Sequence, residues 1–181
     1  LDEIKGVSLI IQAFKGIREK LPDAHLLLVG DGNYDKYLPL CRDCFGKITF
    51  AGKVDKELLS VFYQISDVGV MASFHEQCSY VAIEMSMFGM PMIVSDVDAL
   101  SEMFEDEVNA LRIPLVFDED FGLELDEEKL ADAIIRLIDD EALRLKLSTN
   151  AIKNYQERFT LEKMIENTIN VYEQLIEQDN A

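Results

Sequence analysis

The chain has 181 residues, of which 49% are hydrophobic and 29% are charged, a composition typical of one globular domain with a sizeable core. Lys and Arg total 17 against 35 for Asp and Glu, which gives a formal net charge of −18. A surface this acidic repels phosphate backbones and anionic lipid, so we expect no general binding to nucleic acid or to a membrane surface. The sequence also predicts no membrane span, because no apolar run approaches about 20 residues.

The three cysteines predict a reducing compartment. Cys41, Cys44 and Cys78 are an odd number with no secretory leader in view, so a cytoplasmic protein with reduced thiols is expected. Cys41 and Cys44 form a CxxC pair, but His25 and His75 lack the spacing of further metal ligands. We therefore predict no metal site.

Helical and strand-like patterns alternate along the first two thirds of the chain. Val7–Lys20 has apolar residues at helical spacing, and His25–Gly30 (HLLLVG) is typical of a fully buried parallel strand. Further helices are predicted over Tyr34–Cys44, Lys56–Ile65 and Ser79–Phe88, and further strands over Lys47–Ala51, Asp67–Ser73, Pro91–Ser95 and Asn109–Pro114.

This alternation predicts an α/β fold, a Rossmann-like doubly wound parallel sheet with helices on both faces. Ligands of such sheets bind beyond the carboxyl ends of the strands. The functional residues are therefore expected in the loops after Val29, Phe50, Met71 and Val94.

The last third of the chain predicts three consecutive helices, over Glu128–Asp139, Glu141–Phe159 and Leu161–Ile176. Residues 128–181 thus form a helical C-terminal tail of a single domain, 1–181. The apolar face of the last helix needs a partner, either in this domain or in a part of the protein outside this sequence.

Two acidic residues mark the loop and helix that follow Ser73. Glu76 precedes the helix and Glu84 lies inside it, eight positions later. Taken alone the spacing is also compatible with a loop acid and a solvated helical residue. In this setting, between a strand and a Gly89 helix end, the pair is placed to face a ligand over the sheet edge.

The order of motifs resembles the C-terminal, nucleotide-sugar-binding domain of retaining group-1 glycosyltransferases, which have the GT-B fold. The elements that carry the resemblance are Lys5-Gly6, LLLVGDG (Leu26–Gly32), ITFAGKV (Ile48–Val54), SDVGVMAS (Ser66–Ser73), the Glu76-to-Glu84 spacing, Glu102 in the loop after the next strand, and the closing Arg158–Tyr172.

The resemblance implies a role for each matching residue. Lys5 would contact the phosphates of the donor, and Gly30 and Gly32 would let the backbone approach the nucleotide. Glu84 would accept hydrogen bonds from the ribose hydroxyls, and Glu76 would be the catalytic residue that touches the transferred sugar.

The start of the helix after Glu76 would supply further contacts. Backbone amides of Cys78, Ser79 and Tyr80 would face the phosphates or sugar hydroxyls, and His75 is a candidate sugar contact. Where the family usually has Gly-Phe-Gly, this chain has Gln77-Cys78-Ser79. Ser79 can donate a hydrogen bond that glycine cannot, which points to a different donor sugar.

Two further departures concern the surroundings of the site. Asp98-Ala99 replaces the paired glycines that often follow the next strand in this family. An Arg that normally shares the diphosphate with Lys5 would precede Leu1. The chain begins without Met, so we expect a fragment whose acceptor domain lies elsewhere.

The function implied is transfer of a glycosyl group, with retention, from a nucleotide sugar to a glycan or lipid acceptor by a bacterial, cytoplasmic hexosyltransferase. No cofactor or metal is required in this fold. The alternative is a noncatalytic nucleotide-binding or scaffolding domain of the same fold. A sugar-nucleotide epimerase of the same architecture fits the pattern around the acids less well.

The resemblance also implies that a central strand of the sheet precedes Leu1. Without it, the strands His25–Gly30 and Asp67–Ser73 would leave unpaired backbone groups. Two outcomes are expected: either these strands pair directly, or a strand from another chain fills the gap.

Overall fold

A computed structural model describes residues 1–118 and 122–179. The single-domain prediction 1–181 and the tail 128–181 extend to residues 180–181, which lie outside the described residues. The strands are β1 (Leu26–Val29), β2 (Ile48–Gly52), β3 (Gly69–Met71), β4 (Met92–Ser95), β5 (Leu111–Ile113), β6 (Leu115–Asp118) and β7 (Gly122–Leu125). The helices are α1 (Val7–Ile17), α2 (Lys56–Ile65), α3 (Tyr80–Met87), α4 (Asp98–Met103), α5 (Glu127–Asp139), α6 (Glu141–Arg158) and α7 (Leu161–Asp179).

The parallel α/β architecture is confirmed. β1 pairs with β2, and β3, β4 and β5 pair in that order, all in parallel. Successive side chains of β4 enter different clusters: Ile93 packs with α1 and α5, whereas Met92 and Val94 pack with α3 and α4. Because adjacent strand residues point to opposite faces, helices cover both faces of this sheet.

Side-chain caps fix where several helices begin. Asp55 accepts a hydrogen bond from the Leu58 amide at the start of α2, at 2.8 Å. Asp126 and Asp140 do the same at the starts of α5 and α6. These caps satisfy amides that have no partner within the helix, so the sequence alone locates these helix starts closely.

Three local predictions were wrong. Tyr34–Cys44 forms short 3-10 turns, Tyr34–Lys36 and Leu38–Cys41, because Pro39 cannot donate the amide hydrogen bond of an α-helix. The helix predicted to reach Lys20 ends at Ile17. The segment with Glu102 is a helix, α4, rather than a loop.

The antiparallel hairpin of β6 and β7 was not predicted. Its strands are only four residues long, too short for an alternating pattern to stand out among the acidic residues around them.

Of the two outcomes expected for the strands His25–Gly30 and Asp67–Ser73, direct pairing is wrong. Among the described strands, β1 pairs only with β2, and β3 pairs only with β4, so no ladder joins the two parallel sheets. The second expected outcome, a strand supplied by another chain, stays a prediction.

Helix α7 presents an apolar stripe that the described part of the molecule leaves exposed. The stripe consists of Leu161, Met164, Ile165, Ile169, Tyr172 and Leu175, each about half exposed or more. Within the described residues, no helix combines the length and the apolar composition needed to cross a membrane.

Gly6 lets the beginning of the chain lie directly against the end of β3. Its φ is +67°, and a Cβ built there would lie 2.1 Å from the carbonyl oxygen of Ala72. Both the left-handed backbone and the close approach favour glycine. This contact holds the preceding residue, Lys5, beside the loop that follows β3.

We predict that Gly6→Ala lowers the free energy of unfolding by at least about 2 kcal/mol, because the added methyl group collides with backbone rather than with a movable side chain. Gly46→Ala is the matched control, since nothing lies within 4 Å of a Cβ at Gly46. Urea denaturation of both variants measures the difference. Equal stability of the two variants would contradict the contact with Ala72.

Candidate functional site

The site is built where the first residues of the chain cross the carboxyl end of β3. Glu3–Lys5 form a 3-10 turn that ends at Gly6. The Ile4 carbonyl oxygen accepts a hydrogen bond from the Phe74 amide at 2.8 Å. The turn and the loop after β3 are therefore joined through their backbones, which fixes their side chains relative to each other.

Lys5 and Glu76 form an ion pair in this corner. Lys5 Nζ lies 2.6 Å from Glu76 Oε1, and the same oxygen accepts a hydrogen bond from Ser73 Oγ at 2.9 Å. The Glu76 side chain is only 8% exposed, whereas that of Lys5 is 47% exposed. The carboxylate is thus held in place by two donors, while the lysine remains accessible from solvent.

An open cleft of about 320 Å³ lies over this pair. It is lined by Ile4, Lys5, His75, Glu76, Gln77 and Cys78. Four of the residues predicted from the sequence, Lys5, His75, Glu76 and Cys78, are therefore brought together, although they come from two segments about seventy positions apart.

The start of α3 borders the same loop. Ser79 is the cap of α3, and its Oγ accepts a hydrogen bond from the Ala82 amide at 3.3 Å. Its hydroxyl oxygen therefore caps the N-terminus of α3. The side chain of Tyr80 is exposed, and Cys78 is an exposed free thiol. The contact expected from the backbone amide of Tyr80 stays a prediction.

Glu84 has a partner that the sequence did not reveal. Tyr63 on α2 donates a hydrogen bond from its hydroxyl group to Glu84 Oε2 at 2.9 Å. Burial, followed by the hydrogen bond to Glu84, raises the pKa of Tyr63, so its hydroxyl stays protonated and remains a donor. Tyr63 belongs to the apolar stripe of α2, and that pattern gives no signal for the role of its hydroxyl.

Gly30 and Gly32 lie beyond the end of β1, next to the first residue of the chain. A Cβ built on Gly32 would lie 2.5 Å from the carbonyl oxygen of Leu1, and Gly30 has a φ of +135°. The backbone nitrogen of Leu1 donates a hydrogen bond to the carbonyl oxygen of Asp31. The loop thus needs glycine for its conformation and for the close approach of Leu1.

The connection from β4 to α4 is held by a charged pair. Asp96 Oδ1 accepts hydrogen bonds from Arg112 Nη2 and Ser101 Oγ, each at 2.5 Å. The hydrogen bond from Arg112, assisted by that from Ser101, lowers the pKa of Asp96, so this carboxylate remains charged near neutral pH. This pair holds the segment that contains Asp98. The Asp98 carboxylate in turn forms a hydrogen bond with the imidazole ring of His75.

A second cleft, of about 440 Å³, lies between α4 and α6 and includes Glu102. Arg158 on its wall donates to the carbonyl oxygens of Met103 and Glu102, at 3.2 and 2.9 Å. Glu102 therefore lies in a region where α4 and α6 are joined, and not among the residues of the cleft over Lys5 and Glu76. Across residues 1–118 and 122–179, no group of three or more His, Cys, Asp and Glu side chains is arranged to hold a metal ion.

Sequence comparison gives one family. The family model described as "Glycosyl transferases group 1" matches residues 1–140. An uncharacterized glycosyltransferase of the archaeon Methanocaldococcus jannaschii is 29% identical over 171 residues, which covers 93% of this chain and 41% of that protein.

Solved structures agree with this fold. Sucrose-phosphate synthase from Thermosynechococcus elongatus has a TM-score of 0.80 at 28% identity, covering 98% of this chain and 44% of its own. Alr3699/HepE of Anabaena, solved with UDP, has a TM-score of 0.82 at 17% identity, covering 96% of this chain and 46% of its own. At that identity the likeness to HepE shows the fold alone. The chain spans less than half the length of each of these proteins.

Proposed function

Because the chain belongs to the glycosyl transferases group 1 family, we propose that it binds a nucleotide-diphosphate sugar and serves in transfer of the glycosyl group to an acceptor. The observation that carries the proposal is the Lys5–Glu76 pair, which places an accessible cation and a buried carboxylate side by side in one cleft. HepE, which shares this fold, was solved with UDP, and by analogy we propose a nucleoside diphosphate as the leaving group.

Lys5 is the group proposed to bind the diphosphate. The Lys5 side chain is nearly half exposed, and its positive charge offsets part of a net charge of −18, which otherwise repels an anionic donor. The backbone amides of Cys78, Ser79 and Tyr80, at the start of α3, add partial positive charge on the same side. We therefore propose that no metal or other cofactor is needed to neutralise the diphosphate.

Glu84 is proposed to bind the ribose, because one carboxylate can accept hydrogen bonds from both hydroxyls of a cis-diol. Tyr63 already occupies one oxygen, Oε2, and thereby orients the group. The loop with Gly30 and Gly32 is proposed to lie along the nucleotide.

Glu76 is proposed to contact the transferred sugar and to act as the catalytic residue. Donation from Ser73 and Lys5 to a single oxygen, Oε1, leaves Oε2 for a hydroxyl or for the positive charge that develops on the sugar. His75, on the rim of the same cleft, is proposed as a further sugar contact. We propose that the sugar is a hexose and that its anomeric configuration is retained.

The acceptor, a glycan or lipid, is proposed to bind through a part of the protein outside this sequence. Three unpaired cysteines support a reducing, cytoplasmic setting for the reaction. The alternative is a noncatalytic nucleotide-binding or scaffolding domain of the same fold. A noncatalytic nucleotide-binding domain would keep nucleotide binding and a scaffolding domain would lack it, but neither would give Glu76 a role in turnover.

The first test concerns Glu84. We predict that Glu84→Ala weakens binding of the preferred nucleotide among UDP, GDP and ADP by about 1.5–3 kcal/mol, the range for hydrogen bonds to a charged group. Tyr63→Phe should cost about 0.5–1.5 kcal/mol, because the carboxylate stays but loses the donor that orients it. Isothermal titration calorimetry measures both changes.

Glu173→Ala is the control for Glu84→Ala, since it removes the same charge from an exposed position on α7. Its affinity should match that of the unmodified protein. Binding by Glu84→Ala within a few tenths of a kcal/mol of this control would reject the ribose contact.

The second test separates the enzyme from the noncatalytic alternative. In the full-length protein, Glu76→Gln should lower kcat at least about tenfold, because the charge that faces the sugar is lost. Affinity for the nucleoside diphosphate should stay equal or rise, since Lys5 loses its ion-pair partner and is freed for the phosphates. Steady-state kinetics and calorimetry provide the two values, and an equal loss in both would indicate a merely structural role.

A further inference from the structure

A second pair of side chains joins the same cleft to the next loop of the sheet. His75 Nδ1 lies 2.5 Å from Asp98 Oδ2, and the two side chains are 56% and 53% exposed. Asp98 is the first residue of α4, which follows β4. The pair therefore connects the loops at the carboxyl ends of two adjacent strands, at the rim of the cleft rather than in the core.

The backbone of Asp98 is unusual. Its φ is +32°, in a region that side-chain-bearing residues seldom occupy and that glycine occupies freely. The backbone amide of the next residue, Ala99, donates a hydrogen bond to the carbonyl oxygen of Glu76 at 3.4 Å. The conformation of this turn brings the Asp98 carboxylate to the side chain of His75, the residue that precedes Glu76. A backbone conformation that favours glycine therefore carries a charged side chain here.

The contact decides which nitrogen of the ring carries the hydrogen. An ionised carboxylate only accepts hydrogen bonds, so Nδ1 must be the donor. In the neutral ring, Nε2 then has the lone pair and can only accept. A hydroxyl group is a donor that fits such an acceptor, and His75 lines the cleft.

We propose that Asp98 is a positioning residue that holds His75 in the Nδ1–H form, so that Nε2 accepts a hydrogen bond from a hydroxyl of the donor sugar. This inference rests on the proposed function, because the hydroxyl belongs to the sugar of the nucleotide donor. It adds a residue, Asp98, and a direction for the hydrogen bond. The pair thereby contributes to selection among sugars and leaves the nucleotide to Lys5 and Glu84.

A merely structural contact between the two loops makes a different prediction. If the pair only tied α4 to the loop after β3, its loss would weaken all ligands of the cleft alike. If the pair instead orients Nε2 of His75 towards the sugar, its loss would weaken binding of the nucleotide sugar and leave binding of the nucleoside diphosphate unchanged. The two interpretations therefore differ in the ratio of affinities for a nucleotide sugar and for the corresponding nucleoside diphosphate.

The first experiment measures the tautomer of His75 by ¹H–¹⁵N correlation NMR at about pH 8, above the ordinary pKa of histidine. His75→Gln assigns the signals, and His25, bonded to Thr49 through Nε2, is the internal control. His75 should carry its hydrogen on Nδ1 in the unmodified protein and in Asp98→Asn, which keeps an acceptor oxygen. In Asp98→Gly, which suits the same backbone, the hydrogen should move towards Nε2. A His75 ring that is mainly Nε2–H in the unmodified protein, or that does not change in Asp98→Gly, would overturn the proposal.

The second experiment compares binding of the preferred nucleoside diphosphate with binding of its glucose conjugate. Asp98→Gly should reduce the advantage of the conjugate about three- to tenfold, as expected for one lost hydrogen bond, and should leave the diphosphate within about twofold. His75→Gln should have the same effect, and the double variant should lose nothing more. An equal loss for both ligands would overturn the sugar contact. Absence of nucleotide binding would instead reject the proposed function, while the tautomer would still report the Asp98–His75 contact.

Discussion

The site depends on one backbone crossing, the approach of Gly6 to the carbonyl oxygen of Ala72 at the end of β3. Only glycine fits there, and the hydrogen bond from the Phe74 amide to the Ile4 carbonyl oxygen stabilises the same crossing. Leu1 at the same time lies against the glycine loop after β1. The first six residues therefore span the carboxyl ends of β1 and β3, which no ladder of the described strands joins, and they hold Lys5 over Glu76.

Under the proposed function, this arrangement would give an anion a defined binding place on a strongly acidic protein. Without a ligand, the charge of Lys5 is balanced by Glu76, which is nearly buried and is also held by Ser73. A diphosphate would compete with Glu76 for the ammonium group. Under the proposed function, binding of the donor and release of Glu76 Oε1 would therefore be linked through the same contact.

The sequence predicted those parts of the molecule that depend on neighbouring residues. The apolar stripe of α1, the helical spacing of α2 and α5, and the apolar run of β1 are all local signals, although β1 is not fully buried as predicted, since only Leu28 is buried. The helix predicted over Tyr34–Cys44 was wrong because Pro39 prevents a continuous α-helix despite the helical pattern. The Tyr63–Glu84 and His75–Asp98 contacts could not be predicted, because each joins different elements and appears only when the chain is folded. The resemblance to group-1 glycosyltransferases named Glu76, Glu84 and Lys5, but not the residues that orient them.

The most direct measurement is the rate at which the exposed thiol of Cys78, on the wall of the cleft, is alkylated by iodoacetamide. Cys41 and Cys44 are buried and provide slow-reacting references within the same chain, and peptide mass spectrometry distinguishes the three. If the diphosphate of the donor binds over Lys5 and Glu76, then UDP, GDP or ADP should slow alkylation of Cys78 in a saturable way, whereas the free nucleoside should not. A rate at Cys78 that stays unchanged at millimolar concentrations of all three nucleotides would contradict this placement of the site.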